Sequence, residues 1–211
     1  MTKPAAVFAF ENVSIGNPEG AILDGFNLTV KPREKVLITG RSGIGKTTIF
    51  RLILGFRKPQ DGQVLFRGEK VDSQIAWRVR RQVAYVSQDV ALGHGTVRDF
   101  FDRVFSYRAN AEIAPDERGI REMLDRLQMP PAILGKDLAD ISGGEKQRIG
   151  ISAAILLQRQ IFLLDEITAA LDPDLKRDVM KIFLEKPEWT VLAIAHDTSQ
   201  AAGNARTVRL Q

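Results

Sequence analysis

The sequence predicts an α/β fold with a mainly parallel sheet and a helical segment inserted between its two halves. Late in the chain, the apolar runs "IFLL" and "TVLAI" flank an amphipathic helical pattern, as strands do in a parallel sheet covered on both faces. Short β-rich runs open the chain. From about Thr96 to Gln158 the pattern is mainly helical, so this stretch is expected to be an insertion.

Length and composition narrow the class of protein. The 211 residues are 44% hydrophobic, enough for one core or one core with an attached lobe. The absence of cysteine excludes disulfides and cysteine-ligated zinc. No run approaches the roughly 18 apolar residues that cross a bilayer, and the opening "MTKPAAVFAFENV" does not read as a signal peptide. We therefore expect any action at a membrane to require a partner.

The net charge of +4 is modest, and the cluster "WRVRRQ" (77–82) supplies much of the basic character. Such a cluster is most often a solvated helix face. Contact with nucleic acid or anionic lipid is the alternative interpretation.

The first half of the chain reads as strands followed by a loop and a helix. The runs "AVFAFENVS", "FNLTV" and "KVLITG" predict strands, with the turn-rich "IGNPEG" between the first two. A glycine loop follows, and then a helix with apolar residues at Ile49, Leu52 and Ile53 that Gly55 ends. "GQVLFRG" and "QVAYVSQD" predict further strands, separated by a helix "QIAWRVRR".

The second half alternates between helices and buried strands. Helices are predicted at "TVRDFFDRVF", "DERGIREMLDRLQ" and "GEKQRIGISAAILLQ". The apolar strands "IFLLDE" and "TVLAIAH" flank another helix, "PDLKRDVMKIFLE". We expect a single domain over residues 1–211, with residues 1–90 and 159–211 forming an α/β core and residues 91–158 forming a helical subdomain.

The segment "GRSGIGKT", Gly40–Thr47, fits the pattern G-x-x-x-x-G-K-[ST]. It follows a predicted strand and opens a predicted helix, the context that separates a phosphate loop from a chance match. Glycines let backbone N–H groups wrap around phosphate oxygens, and the helix N-terminus favours negative charge. Lys46 is expected to reach the β- and γ-phosphates of a nucleotide, and Thr47 to hold Mg²⁺.

Two carboxylates end the strand "IFLLDE". A buried parallel strand delivers them to the sheet edge where α/β proteins bind ligands. We expect Asp165 to act as the outer-shell partner of Mg²⁺, and Glu166 to orient or deprotonate the attacking water.

The stretch "ISGGEKQRIG" combines a helix cap with two glycines. Ser142 and Glu145 fit a capping box, but helix-favouring residues would suit the first turn better than Gly143 and Gly144. The glycines therefore predict close approach of something to this backbone.

Together these motifs resemble those of the ATP-binding cassette (ABC) ATPases, in the expected order and over nearly the whole chain. Gly40–Thr48 matches the family's Walker A loop, Gln88 its Q-loop glutamine, and Ile141–Glu145 its LSGGQ signature. The run "IFLLDE" matches Walker B, Ala169–Asp172 matches the D-loop, and His196 matches the switch histidine. Asp172 before Pro173 is also an ordinary helix N-cap.

The resemblance implies a P-loop NTPase core with a mainly parallel sheet, an antiparallel β subdomain and an inserted helical subdomain. It also implies ATP and Mg²⁺ as cofactors, and a head-to-tail dimer that encloses two ATP molecules. The implied catalytic residues are Glu166, His196, Lys46 and Gln88, and the implied metal-site residues are Thr47, Gln88 and Asp165. The implied nucleotide-binding residues are Gly40, Arg41, Ser42, Gly43, Ile44, Gly45, Lys46, Thr47, Thr48, Ser142, Gly143, Gly144 and Asp172.

Four positions depart from the family's usual pattern. Ile141 replaces leucine and Glu145 replaces glutamine in the signature, while Ala169 replaces the usual serine of the D-loop. Asn17 stands where many members place an aromatic residue under adenine. We therefore expect binding affinity to come mainly from the triphosphate.

The single short cassette is similar to the small ATP-binding subunits of bacterial transporters, of the YbbL/FetA type. This implies an ATPase on the cytoplasmic face of the cell membrane, bound there through a permease that docks near "SQDVALGHGTVRDFF". Phe100, Phe101 and Phe105 either present an apolar surface to that partner or simply pack the helical lobe. A soluble ABC-type ATPase acting on nucleic acid or complex assembly is the alternative, and a regulatory binder without turnover is a third hypothesis. If the chain is the ATPase subunit of a transporter, no nucleic acid partner is expected.

Overall fold

The structure, a computed structural model, describes residues 6–17, 20–110, 112–113, 115–195 and 205–210. Its strands are β1 (Phe8–Asn17), β2 (Gly20–Val30), β3 (Lys35–Thr39), β4 (Asp61–Phe66), β5 (Glu69–Lys70), β6 (Val83–Val86), β7 (Ile161–Asp165), β8 (Thr190–Ile194) and β9 (Arg206–Arg209). Its α-helices are α1 (Lys46–Ile53), α2 (Ser73–Gln82), α3 (Val97–Ser106), α4 (Glu117–Arg126), α5 (Gly143–Leu156) and α6 (Pro173–Leu184). Short 3-10 helices lie at Arg108–Asn110 and Pro131–Gly135.

An antiparallel sheet in the order β2-β1-β4-β5 is formed by the first part of the chain. Strand β1 lies in the middle, with Phe8 opposite both Val30 of β2 and Phe66 of β4. The strands reach further into the segment "IGNPEG" than the sequence predicted, because β1 continues to Asn17 and β2 already begins at Gly20. The buried pair Ile15 and Leu23 explains the extension, since their pairing covers apolar surface on both strands.

The second sheet has the order β6-β7-β8-β3-β9. Strand β3 runs parallel to both β8 and β9, and every residue of β3 and β8 is buried. The predicted parallel sheet of continuously apolar strands is therefore confirmed. Strand β9, which completes the edge beside β3, was not predicted.

The chain divides into two compact units. The first contains residues 1–83, 160–163 and 183–211, and the second contains residues 84–159 and 164–182. In the first unit, Phe8, Phe10, Phe50 and Phe66 are fully buried in one hydrophobic core. The expected subdomain boundaries at residues 90, 91, 158 and 159 remain predictions.

The second unit is largely helical. Helix α5 packs against α3 and α4, and Phe101, Leu124 and Ile149 are fully buried there. The guanidinium of Arg148 donates hydrogen bonds to the carbonyls of Leu127 (3.2 Å) and Gln128 (2.9 Å), just past the end of α4. A cation at a helix C-terminus stabilises the helix, so α5 fixes the end of α4.

In the described residues, side-chain caps begin α2, α3, α4, α5 and, at Asp172, α6. Asp72 caps α2, Thr96 caps α3, Asp116 caps α4 and Ser142 caps α5. Helix α1 differs, because its N-cap is Gly45, which provides no side-chain cap. The start of α1 is thus built differently from the starts of these other helices.

Within the described part of the chain, none of the helices has both the length and the apolar character needed to traverse a bilayer.

Candidate nucleotide-binding site

The glycine loop folds in a conformation that its glycines make accessible. Gly43 has φ +79° and Gly45 has φ +100°, values that other residues rarely adopt. A Cβ atom on Gly45 would lie 2.3 Å from Cγ2 of Ile22, whereas one on Gly43 would meet no atom within 4 Å. Gly45 is therefore required by packing against β2, and the backbone at Gly43 faces open space.

Helix α1 begins at this loop with features that favour an anion. It has no side-chain cap and no acidic residue in its first turn. The N-terminal N–H groups of a helix carry partial positive charge, which attracts phosphate. The loop residues Arg41, Ser42 and Gly43 are exposed, so a ligand can reach the backbone from solvent. These residues fit a nucleotide phosphate.

Lys46 lies directly behind the loop and is only 5% exposed. Its Nζ donates hydrogen bonds to the carbonyl oxygens of Gly40 (3.0 Å) and Arg41 (3.1 Å). These bonds hold the ammonium group against the backbone of the loop. Thr47 is half-buried and Thr48 is buried, with the backbone N–H of Thr48 donating to the carbonyl of Gly45 at 2.9 Å.

Asp165 ends strand β7 and is 2% exposed. The hydroxyl of Tyr85, on strand β6, lies 3.4 Å from Oδ2 of Asp165 and donates a hydrogen bond to it. This bond restricts the rotation of a buried carboxylate. Sequence reasoning found Asp165 but missed Tyr85, because the two residues are 80 positions apart.

Glu166 follows at once and has φ +50°, in the left-handed region. For a residue with a side chain this conformation costs about 1–2 kcal/mol, and such strain is concentrated at functional sites. The carbonyl of Glu166 accepts a hydrogen bond from the N–H of Ala169 at 3.0 Å. The chain therefore turns sharply at the strand end, and the predicted base lies at that turn.

The signature segment forms a complete capping box. The hydroxyl of Ser142 donates to Oε2 of Glu145 at 2.8 Å and accepts the N–H of Glu145 at 3.3 Å. The N–H of Ser142 donates to the same carboxylate oxygen at 2.8 Å. These bonds, the backbone one first, hold the pKa of Glu145 below its ordinary value, with Lys136 contributing from 3.7 Å.

The two signature glycines have different surroundings. A Cβ atom on Gly144 would lie 3.2 Å from the carbonyl oxygen of Ala170, so the D-loop of the same chain approaches this backbone closely. A Cβ atom on Gly143 would meet no atom within 4 Å. The D-loop thus approaches the backbone at Gly144, while Gly143 faces open space, and the expected approach of a phosphate held by another copy stays a prediction.

Gln88 is exposed in the loop after β6. The preceding carbonyl, of Ser87, accepts a hydrogen bond from Nε2 of Gln147 at 3.4 Å. Gln147 is 4% exposed on α5, the helix that the signature opens. This buried amide joins the glutamine loop to the signature helix, and the sequence motifs did not identify it.

Asp172 caps α6, since its Oδ1 accepts the N–H of Leu175 at 3.0 Å. The expected N-cap before Pro173 is therefore present. His196 and the side chain of Asn17 lie outside the described residues.

The predicted residues are divided between the two compact units. Gly40–Thr48 lie in the first unit, and Gln88, the signature, Asp165, Glu166 and Asp172 lie in the second. Their roles toward a nucleotide remain predictions.

A glycine loop before an uncapped helix, together with a buried aspartate at a strand end, defines a P-loop nucleotide-binding protein. The chain belongs to the ABC transporter family, whose family model matches residues 23–169. It is the nucleotide-binding component of such a transporter, which confirms the class expected from the motifs.

Comparison with known proteins agrees with this assignment. The chain is 31% identical to the probable iron export ATP-binding protein FetA of Escherichia coli, covering 100% of this chain and 94% of that protein. It is 37% identical to the ATP-dependent lipid A-core flippase of Methylobacillus flagellatus, covering 90% of this chain but only 34% of the flippase. A bacterial Atm1-family ABC exporter with ATP bound superposes with a TM-score of 0.83 at 27% identity, covering 100% of this chain and 38% of the exporter chain. The expected resemblance to the FetA type is thereby confirmed.

Proposed function

We propose that this chain hydrolyses ATP to ADP and phosphate and thereby powers transport by a membrane permease. The observations at the start of α1 support this proposal most directly. They combine an uncapped helix N-terminus, a glycine backbone open to solvent and a buried lysine held against the backbone of the loop. This combination binds the triphosphate of a nucleotide by backbone N–H groups and one cation.

The remaining residues supply the hydrolytic chemistry. A bound Mg²⁺ would neutralise charge on the phosphates. Thr47, Gln88 and Asp165 are the residues proposed to hold it, with Tyr85 fixing the Asp165 carboxylate. Glu166, at the turn after β7, is proposed to accept a proton from the attacking water. His196 is proposed to assist this step.

A second copy of the chain is proposed to complete the site. The signature presents an exposed Ser142 and a Gly143 that faces open space, so a phosphate held by another copy can approach them. The N-terminus of α5 would add a favourable field at that phosphate. ATP would then join two copies head to tail, and hydrolysis would remove the phosphate that both copies grip.

Release of phosphate from ATP by the purified chain tests the proposed activity. We expect Mg²⁺-dependent turnover in the wild type and none in Lys46→Met, which keeps side-chain length and removes the charge. A Lys58→Met variant, altered at an exposed lysine outside the loop, is the matched control and should retain turnover. Equal activity in the wild type and Lys46→Met would contradict the proposal.

The permease is proposed to dock on the second unit. A groove of about 220 Å³ there is lined by residues that include Val90, Leu92, Phe100, Val104 and Leu157. The proposed occupant is a helical cytoplasmic segment of the permease, because the lining of the groove is mostly apolar and would receive the apolar face of an amphipathic helix. The related proteins are named as ABC exporters and export ATP-binding proteins, which supports a membrane partner.

The phenylalanines expected near this surface were given two alternative roles, namely contact with the permease and packing of the helical lobe. Phe100 and Phe101 are buried, and Phe101 is in ring contact with both Phe100 and Phe105. They mainly pack the helical unit, but Phe100 also lines the groove. Co-purification with the membrane subunit tests the docking proposal: Val104→Asp should abolish it while the circular dichroism spectrum is unchanged. Undiminished co-purification of that variant would contradict docking in this groove.

A further inference from the structure

A lysine from outside the signature helix reaches the signature carboxylate. Nζ of Lys136 lies 3.7 Å from Oε1 of Glu145. Lys136 directly follows the 3-10 helix Pro131–Gly135, ahead of the signature in the chain. The other carboxylate oxygen, Oε2, accepts the N–H and the hydroxyl of Ser142, each at 2.8 Å. One carboxylate is therefore shared between a helix cap and a cation.

The backbone of Lys136 is fixed to the start of α3. Its carbonyl accepts the N–H of Val97 at 3.0 Å, and the N–H of Leu138 donates to the carbonyl of Gly95 at 2.8 Å. Between these two bonds, the two segments form an isolated antiparallel β-bridge. The lysine side chain thus extends toward Glu145 from a defined point of the second unit.

The charge of Glu145 matters for an approaching phosphate. Glu145 stands where the usual signature has a neutral glutamine, and its lowered pKa keeps it ionised at neutral pH. The start of α5 attracts an anion through its N–H groups, but a carboxylate in the first turn opposes that attraction. A positive charge next to Glu145 would remove this opposition.

Lys136 is better placed than Arg148 to supply the positive charge. After the backbone and hydroxyl bonds from Ser142, both cations lower the pKa of Glu145, Lys136 more than Arg148. The guanidinium of Arg148 already donates to the carbonyls of Leu127 and Gln128. The side chain of Lys136 is half-exposed, so its ammonium can follow the carboxylate if the carboxylate moves.

We propose that Lys136 is a positioning residue, which holds and neutralises the carboxylate of Glu145 so that the signature can receive the γ-phosphate of an ATP bound to a second copy. The proposal rests on the proposed function, since it requires the dimer joined by ATP. Ser142 must give up Glu145 in order to donate its proton to that phosphate. Lys136 then remains as the partner of the carboxylate, and its ammonium cancels the charge that would repel the phosphate.

This role can be separated from a contribution to the fold. The side chains of Lys136 and Glu145 are 52% and 23% exposed, and an ion pair of such exposure contributes little to stability. Removal of the lysine nevertheless leaves one uncompensated negative charge beside the proposed position of the phosphate. We therefore expect Lys136→Met to unfold in urea almost as the wild type does, and yet to weaken the ATP-dependent dimer.

Sedimentation in the Glu166→Gln background, with saturating ATP and Mg²⁺, measures the dimer directly. Lys136→Met should raise the dissociation constant of the dimer on the order of tenfold, because a partly exposed ion pair is worth about fivefold or less and the dimer contains two. Lys136→Arg keeps the charge and should retain the dimer. Added salt should narrow the difference between Lys136→Met and the parent chain, since salt screens the charges. Binding of ATP to the single chain should be unchanged throughout.

Removal of the carboxylate should rescue the lysine variant. In Lys136→Met/Glu145→Gln no charge remains to be neutralised, so the dimer should recover the affinity of Glu145→Gln alone. A lysine that merely braced the signature would leave the double variant as weak as Lys136→Met. Arg118→Met breaks another surface ion pair of the second unit, with Glu122 at 2.7 Å, and is the matched control that should leave the dimer unchanged.

Three results would overturn the proposal: an undiminished dimer in Lys136→Met, no recovery in the double variant, or an equal loss in Arg118→Met. The parent Glu166→Gln chain separates this proposal from the proposed function. If that chain forms no dimer with ATP, the proposed function is refuted and the role of Lys136 with it. If it forms a dimer and Lys136→Met forms the same dimer, only the role of Lys136 is refuted.

Discussion

The hydroxyl of Ser142 donates a 2.8 Å hydrogen bond to the carboxylate of Glu145, three residues later in the same helix start. The same hydroxyl oxygen accepts the N–H of Glu145 at 3.3 Å. The one proton of this hydroxyl is therefore used by the cap while the chain is free. To donate it to a phosphate of another copy, Ser142 must release Glu145. The cap and the proposed phosphate contact compete for one proton.

Substitutions at Ser142 separate these two uses of the hydroxyl. Ser142→Thr keeps an N-cap and should change the free energy of unfolding by less than about 1 kcal/mol. Ser142→Asp also supplies an N-cap acceptor, but it places a second carboxylate beside Glu145 and should destabilise the fold, with recovery in Ser142→Asp/Glu145→Gln. Urea unfolding measures these differences.

Hydrolysis should respond differently from stability in the same variants. Ser142→Thr should retain turnover, whereas Ser142→Asp should lose it even in the Glu145→Gln background, because a carboxylate would repel the γ-phosphate. Full turnover in the double variant would show that Ser142 acts only as a cap.

The stability contributed by Glu145 should depend on pH. Its pKa in the folded chain lies below the ordinary value of 4.5, chiefly because the backbone N–H of Ser142 bonds the carboxylate. A lowered pKa means that the unfolded chain takes up the proton first as pH falls. The contribution is therefore complete above about pH 5 and is lost as pH falls through the folded pKa.

Glu145→Gln provides the comparison. The difference in free energy of unfolding between the wild type and this variant should be largest near pH 7 and should shrink below pH 4.5. A difference that stays constant across this range would contradict the assigned cause of the pKa shift.

Gly45 should tolerate no larger residue. Its φ of +100° and the 2.3 Å approach of an added Cβ to Ile22 combine strain with a clash, so Gly45→Ala should cost about 2 kcal/mol or more. Gly135→Ala is the control, because an added Cβ there meets no atom within 4 Å and no left-handed φ is present. Thermal melts should give Gly45→Ala a clearly lower melting temperature than Gly135→Ala. Similar melting temperatures would refute the packing role of Gly45.

Tyr85 is expected to position the carboxylate of Asp165. Tyr85→Phe removes one hydrogen bond to a carboxylate. Because this bond is long, at 3.4 Å, we expect it to contribute about 0.5–1.5 kcal/mol, so the Mg²⁺ concentration for half-maximal ATP turnover should rise roughly two- to tenfold. The maximal rate at saturating Mg²⁺ should change much less. Tyr107→Phe, at a tyrosine that is 57% exposed, should leave both unchanged. A fall in maximal rate with unchanged Mg²⁺ dependence would contradict this role.

The features that sequence predicted best are those with a local cause. The phosphate loop, the capping box at Ser142 and the end of α1 at Gly55 depend on residues a few positions apart, and all have the expected local geometry. The buried strands β7 and β8 were predicted from continuous apolar runs.

The features that sequence missed depend on residues far apart in the chain. Strand β9 reads "RTVR" and is mostly exposed, so no apolar pattern marked it, and it forms only by pairing with β3. The bond between Tyr85 and Asp165 and the bond between Gln147 and Ser87 join residues 80 and 60 positions apart. Only the folded chain brings these groups together.

The most direct test of the proposed ATP-dependent dimer is to measure the mass of the Glu166→Gln variant in solution, once with ATP and once with ADP. This substitution keeps the shape of the side chain and removes the proposed base, so ATP should bind and persist. Sedimentation should then show a dimer with ATP and a monomer with ADP, and added Ser142→Arg should prevent the dimer while each chain still binds ATP. A Glu166→Gln chain that turns over ATP at the wild-type rate, or that binds ATP and stays monomeric, would contradict the account.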